Sequence, residues 1–313
     1  MPGIVAAVRC PAPGAALWAR LLLVGLLLGQ LAGCAWLDER QRMLALRPSP
    51  TRADQPAAAA ALFQPQDQRY ALPAAGAAGA VGDQVAIWWL PHANAEAPTL
   101  LYLHGTFRNL YHNLTKIDAL RNAGYSVLAV DYRGWGDSTA IVPSEASIRA
   151  DALLAWGEMQ RRQGDPRKRV IFGHSLGGAV AVSLASGLRH GSDYAALVLE
   201  STFTSLPDLA ATAGFWGRIA AAATTLEFDS LSRIAGIDAP LLMLHGSADR
   251  TVPVELGRRL HAAAPAGARW IEIPGGSHSR LHSDAPELYQ QALRELLDPI
   301  KKLPAPPSRA TSP

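Results

Sequence analysis

A chain of 313 residues, 49% of them hydrophobic and 18% charged, is long enough to bury one large core as a single domain with flanking segments. Its formal net charge of +3 falls to +1 once residues 1–33, which hold Arg9 and Arg20 and no acid, are set aside. That balance, with arginines scattered along the chain, excludes a nucleic-acid footprint and predicts an ordinary solvated surface.

Arg9 and Arg20 precede Leu21-Leu22-Leu23-Val24-Gly25-Leu26-Leu27-Leu28, a run too short for a bilayer that needs about 20 apolar residues. Residues 1–33 therefore read as an export signal. The segment closes on Leu31-Ala32-Gly33-Cys34, which resembles the lipobox of bacterial lipoproteins. The resemblance implies cleavage before Cys34 and acylation of its sulfur, with an uncleaved signal anchor as the alternative. Membrane lipid would then hold the protein on the periplasmic side, and Ala35 after the cysteine favours the outer membrane. Cys10 would be discarded with the signal, leaving no thiol for a disulfide.

Residues 36–46 space their apolar side chains as a short helix, expected to pack on the domain. Pro48, Pro50 and Pro56, then five alanines, mark a connector, so that residues 34–66 form the lipidated N-terminus and linker. A second low-complexity patch covers residues 74–80. From 67 to 300 the pattern is that of one α/β domain, and the proline-rich residues 301–313 read as a disordered tail.

Within the domain, short apolar runs at 85–90, 99–103, 126–130, 169–172, 196–199, 240–244 and 270–273 predict strands. Helices are expected over 114–123, after Ser144 with Ile148, Ala152, Leu153 and Trp156 on one face, after the serine motif, from Pro253, and over 286–297. This alternation defines an α/β fold, a mostly parallel sheet of about eight strands with helices on both faces. Loops leaving the carboxyl ends of parallel strands converge on one rim. A short insertion at 202–239 is expected to form a modest lid.

Gly173-His174-Ser175-Leu176-Gly177 sits between a strand and a small-residue helix, the setting of a nucleophile elbow. A serine hydroxyl needs a histidine to take its proton, and the histidine needs a carboxylate to fix its tautomer. The expected order is serine, acid, histidine. Asp249, in the loop after the 240–244 strand, and His278, in the loop after the last strand, supply it. Glu200 is the runner-up acid, and Asp137 and Asp229 are expected in turns or caps. His104 and His245, each in a Leu-x-Leu-His-Gly pattern, are expected to be structural, His174 to point away from the serine, and His282 to be exposed. Backbone N–H groups of Leu176 and Thr106, with Phe107 the alternative to Thr106, would form the oxyanion hole.

These segments, with Asp131-Tyr132-Arg133-Gly134-Trp135-Gly136-Asp137-Ser138 and Glu200-Ser201-Thr202-Phe203-Thr204-Ser205, make the chain similar to the α/β-hydrolase superfamily. Within it the chain resembles the BEM46-like and ABHD-type serine hydrolases. The resemblance implies triad roles for Ser175, Asp249 and His278. It departs at Thr106-Phe107, where the branch often carries Asn and a small residue. Hydrolysis of a carboxylic ester or thioester with an apolar acyl chain is the expected chemistry, with no metal or organic cofactor required. A peptidase or acyltransferase using the same triad, and a non-catalytic binding lipoprotein, are the alternatives. Phe203, Phe215, Trp216, Leu226 and Phe228 would either line an acyl pocket or form the buried side of lid helices. No charged cluster in the sequence suggests a phosphate or peptide-terminus clamp.

Overall fold

The computed structural model describes Gly33 and residues 35–74 and 82–301, without the side chains of 297–301. The expected signal sequence up to Ala32, the lipidation site Cys34, most of the 74–80 patch and the 302–313 tail lie outside the described residues. The chain divides into two units, Met1–Gln41 and Arg42–Pro313. Residues 35–46 are helical (α1); Leu46 is buried in the core of the second unit, whereas Leu44 is exposed. A single turn, α2 (Gln55–Ala59), with Pro56 in its first turn, follows. Among the described residues no helix is long and apolar enough to cross a membrane.

Eight strands form one sheet: β1 (Gln68–Pro73), β2 (Gln84–Leu90), β3 (Thr99–Leu103), β4 (Ser126–Asp131), β5 (Arg169–His174), β6 (Ala196–Glu200), β7 (Leu241–Gly246) and β8 (Arg269–Ile273). Their order is β1-β2-β4-β3-β5-β6-β7-β8, with β2 antiparallel to both its neighbours and the remaining pairs parallel. Strand β1 has no counterpart among the sequence-predicted strands. It is a polar edge strand with only every second side chain half-buried, so it lacks the apolar run that marks a central strand.

Alternation along the strands feeds two cores. Leu101 and Leu103 of β3 and Leu128 and Val130 of β4 face one; Leu100, Tyr102, Val127 and Ala129 face the other. The first is closed by α4 (Glu145–Arg162), α5 (Leu176–Ala185) and, further along the chain, α9 (Val254–Ala262); the second by α3 (Leu114–Asn122) and α11 (Pro286–Lys301). Each fully buried leucine or isoleucine in these cores contributes about 1.5–3 kcal/mol. Ser144 and Ser147 exchange hydrogen bonds between side chain and backbone at the start of α4, a capping box with serine in place of the usual acid. Ile148, Ala152 and Trp156 are buried as expected, but Leu153 is 60% exposed. One residue beyond Ala152 is about 100° around the helix, enough to carry it off the buried face.

Insertion residues form α6 (Leu206–Ala211), α7 (Gly214–Ala223) and α8 (Leu231–Ile234), and a short turn, α10 (Leu281–Asp284), follows the β8 loop. The strand order reverses at β3: the chain leaves β3 for β4 on one side, then crosses to β5 on the other. A crevice opens at the carboxyl ends of strands where such a reversal occurs, and here it falls between β3 and β5.

Candidate active site

β5 delivers its last residue, His174, opposite Glu200 of β6, and the chain then turns through Ser175 into α5. Ser175 has φ 56° and ψ −120°, a conformation that costs a non-glycine residue about 1–3 kcal/mol. Three hydrogen bonds hold it there. Its N–H donates to Glu200 O at 2.8 Å, and its carbonyl accepts from Gly178 N and Thr202 Oγ1, each at 2.9 Å. A Cβ at Gly173 would collide with the backbone of Gly177, and one at Gly177 with the carbonyl of Leu103, so the elbow closes only on glycine.

Ser175, His278 and Asp249 are brought together from three loops. His278 Nε2 lies 3.0 Å from Ser175 Oγ, and His278 Nδ1 lies 2.7 Å from Asp249 Oδ2. An ionised carboxylate only accepts, so Nδ1 carries the proton and Nε2 accepts from the serine hydroxyl. Asp249 is fixed by its own turn, Oδ1 accepting from the N–H groups of Thr251 and Val252 at 2.8 Å each. Burial pushes its pKa up, but hydrogen bonds from His245, His278 and Val252 outweigh burial, and the carboxyl is held well below the usual aspartate range. The two loops are stitched to each other: Ala248 N–H donates to Gly276 O at 3.1 Å and Gly275 N–H to Ser247 Oγ at 2.9 Å.

The competing groups have other partners. Glu200 is fully buried, ion-paired with Lys116 and accepting from the Tyr289 hydroxyl at 2.7 Å. His104 is buried, its Nδ1 2.6 Å from Gly105 O and its Nε2 3.3 Å from Asp131. His245 is buried beneath the acid turn, with Nε2 2.9 Å from Val252 O and 3.4 Å from Asp249 Oδ2. Asp229 caps the start of α8 through Ser232 N–H at 3.0 Å, whereas Asp137 accepts from the Tyr111 hydroxyl at 2.8 Å and so ties two loops together.

His282 differs from expectation. It is partly buried, with its ring centroid 6.2 Å from that of Tyr289, and burial lowers its pKa. The α10 turn that brings it against Tyr289 gives no periodic signal in the sequence. His174 was legible only as a non-base. Its buried ring donates from Nε2 to the carbonyl of His278 at 3.1 Å, and burial, then the Lys116 charge, drive its pKa far down, so it stays neutral. This contact supports the catalytic-loop backbone from below, a role with no sequence signal because it joins residues 104 apart.

Leu176 is the first residue of α5, directly after the elbow, and Thr106 follows Gly105, where an added Cβ would come within 2.9 Å of Ser175 Cβ. The β3 loop therefore passes against the nucleophile. Phe107 takes a left-handed φ of 70° and is 43% exposed, under the Arg47 guanidinium. A pocket of about 180 Å³ lies between this loop and the His278–Ser279 segment.

The five insertion residues divide in a way neither sequence alternative anticipated. Phe203, Leu226 and Phe228 are at most 3% exposed and belong to the main core, while Phe215 and Trp216 on α7 are 71% and 77% exposed. None of the five lines the pocket beside His278. α7 rests on α6 through Gly217, whose missing side chain admits the carbonyl of Ala210, and this close approach turns the aromatic pair outward.

A family profile described as serine aminopeptidase, S33, matches residues 95–228. An uncharacterized protein of Mycobacterium tuberculosis strain H37Rv is 36% identical over 217 residues, 69% of this chain and 73% of that one. The lysophosphatidylserine lipase ABHD12 of Danio rerio is 35% identical over 192 residues, 56% of this chain and 50% of the relative. Among solved structures, an α/β hydrolase from Vibrio vulnificus superposes with a TM-score of 0.64 at 19% identity, covering 82% of this chain and 92% of its own. An esterase of Pyrococcus furiosus gives 0.58 at 19% identity, covering 76% and 94%. The chain belongs to the α/β-hydrolase superfamily, in its ABHD-type branch, and is an α/β-hydrolase enzyme. It spans about half the length of the ABHD12 relatives it matches.

Proposed function

We propose that this enzyme hydrolyses carboxylic esters, or thioesters, of apolar acyl chains through an acyl-Ser175 intermediate. The observation that carries the reading is the unbroken relay from Ser175 Oγ through His278 to Asp249, at 3.0 and 2.7 Å. In it, Ser175 Oγ attacks the carbonyl carbon as its proton passes to His278 Nε2, and Asp249 stabilises the imidazolium. Negative charge on the carbonyl oxygen is met by the N–H groups of Leu176 and Thr106, with the positive end of α5 behind the first. Collapse expels the alcohol or thiol, which takes the proton from His278. Water then gives its proton to the same nitrogen and attacks the acyl carbon, and on collapse His278 passes that proton to Ser175 Oγ as the acid is released.

A single-chain lipid ester is the first substrate to test, since relatives named as lysophosphatidylserine lipases share this branch. The match to the serine aminopeptidase profile favours a second reading, cleavage of an aminoacyl amide by the same groups. A panel of esters, thioesters and aminoacyl amides of graded chain length separates the two. Failure of a fluorophosphonate probe to label Ser175 would instead point to a binding protein that keeps the fold. Lipidation of Cys34, anchoring the enzyme on the periplasmic side of the outer membrane, belongs to the same proposal. Mass spectrometry of the mature N-terminus tests it, and an unmodified Cys34 in an uncut chain would end it.

A further inference from the structure

The pocket beside His278 holds a charge that the triad does not use. Arg108, two residues after Thr106, lines it together with His278, Ser279 and Thr251, and no aspartate or glutamate lines it. Arg108 is exposed, and its side chain makes no hydrogen bond or ion pair with another described residue. Arg133 reaches Asp83 and Asp151, and Arg161 and Arg162 both reach Glu158, whereas Arg218, Arg250 and Arg294 are, like Arg108, exposed with no side-chain hydrogen bond or ion pair to a described residue; what sets Arg108 apart is the pocket it shares with His278. A second guanidinium, that of Arg47, lies 4.6 Å over the ring of Phe107, another wall residue, and also lacks an acidic partner among the described residues.

The guanidinium of Arg108 meets no carboxylate of the chain in this pocket, so its hydrogen-bond donors are left for a ligand. A substrate that itself brings an anion can take them, because the planar guanidinium pairs with carboxylate or phosphate oxygens in two parallel hydrogen bonds. The pocket lies against the histidine that hands its proton to the departing group, so it is placed for the alcohol half of the ester.

We infer that Arg108 forms an anion subsite that takes a phosphate or carboxylate carried by the leaving-group half of the substrate. This rests on the ester-hydrolase reading above, and its test is a binding measurement that needs no turnover. The Ser175→Ala chain is titrated calorimetrically with three short, monomeric esters: hexanoylglycerol, hexanoylglycerol 3-phosphate and the hexanoyl ester of glyceric acid. The expected result is a preference of about 10- to 100-fold for an anionic ester over the neutral one, the range of a hydrogen bond to a charged group. Adding Arg108→Gln should bring that ratio close to one, and Arg108→Lys should retain part of it. The phosphate and carboxylate arms show which anion fits. Equal affinity for neutral and anionic esters, or a preference that survives Arg108→Gln, overturns the subsite. Circular dichroism verifies that the exposed substitution leaves the fold intact. Absence of fluorophosphonate labelling at Ser175 would count against the hydrolase reading alone, since the affinity ratio is measured without it.

Discussion

Two buried carboxylates stand at the ends of neighbouring strands, Glu200 closing β6 and Asp249 in the turn beyond β7, yet they have opposite tasks. Asp249 keeps one oxygen for backbone N–H groups and turns the other to His278 Nδ1. Glu200 spends both oxygens inward, on Lys116 and on Tyr289, which join it to α3 and α11. Glu200 also sits 3.9 Å from His174, whose ring supports the His278 backbone, so the second carboxylate braces the site without entering the relay. Burial alone therefore does not single out the acid of a triad; the free lone pairs left after the backbone and neighbouring cations are satisfied do.

The contrast is open to direct attack. Ser175→Ala sets the floor: turnover should fall by roughly 10⁶, with folding by circular dichroism unchanged. Asp249→Asn should lower kcat by up to about 10⁴, because the amide favours the wrong imidazole tautomer. Glu200→Gln should show the reverse profile. Leaving the Lys116 charge unpaired in the core costs about 3–5 kcal/mol in urea unfolding, while the folded fraction keeps far more activity than Asp249→Asn. A crippled but stable Glu200→Gln protein, beside an active Asp249→Asn, would exchange the two assignments.

Lys116→Met combined with Glu200→Gln removes both charges, and should recover about 1–2 kcal/mol of the single-variant loss, read as a double-mutant cycle. The smallest effect is on pH. Asp249 is held below the ordinary aspartate value, so its contribution to stability is full above ~3.9 and is lost as the pH falls through the lower folded value. Acid titrations of wild type and Asp249→Asn should therefore draw together in stability as the pH falls from about 4 to about 2. A constant gap between the two curves over that interval would show that Asp249 is not held by these hydrogen bonds.

Much of this was legible in the chain itself, and for local reasons. The central strands announce themselves because a sheet covered on both faces demands continuous apolar runs, as in Thr99-Leu100-Leu101-Tyr102-Leu103. The elbow is legible because only glycine tolerates the close backbone passage at positions 173 and 177. Leu153 was misplaced by one step around its own helix; the other misses depend on contacts between distant segments: β1 with its polar edge, His282 half-buried within α10 against Tyr289, and the outward aromatic pair of α7.

The amino-acid order by itself determined the alternating architecture, the serine turn and the sequence of serine, acid and histidine, since each follows from backbone geometry or spacing within a few residues. Tertiary structure alone decided that the runner-up Glu200 is spent on Lys116 and Tyr289, that His174 holds the histidine loop from beneath, and that Arg108 shares its pocket. Those outcomes turn on which polar groups find partners across the fold. Hydrogen bonds and charges act over a few ångströms, and only the folded chain brings residues about a hundred positions apart within that range.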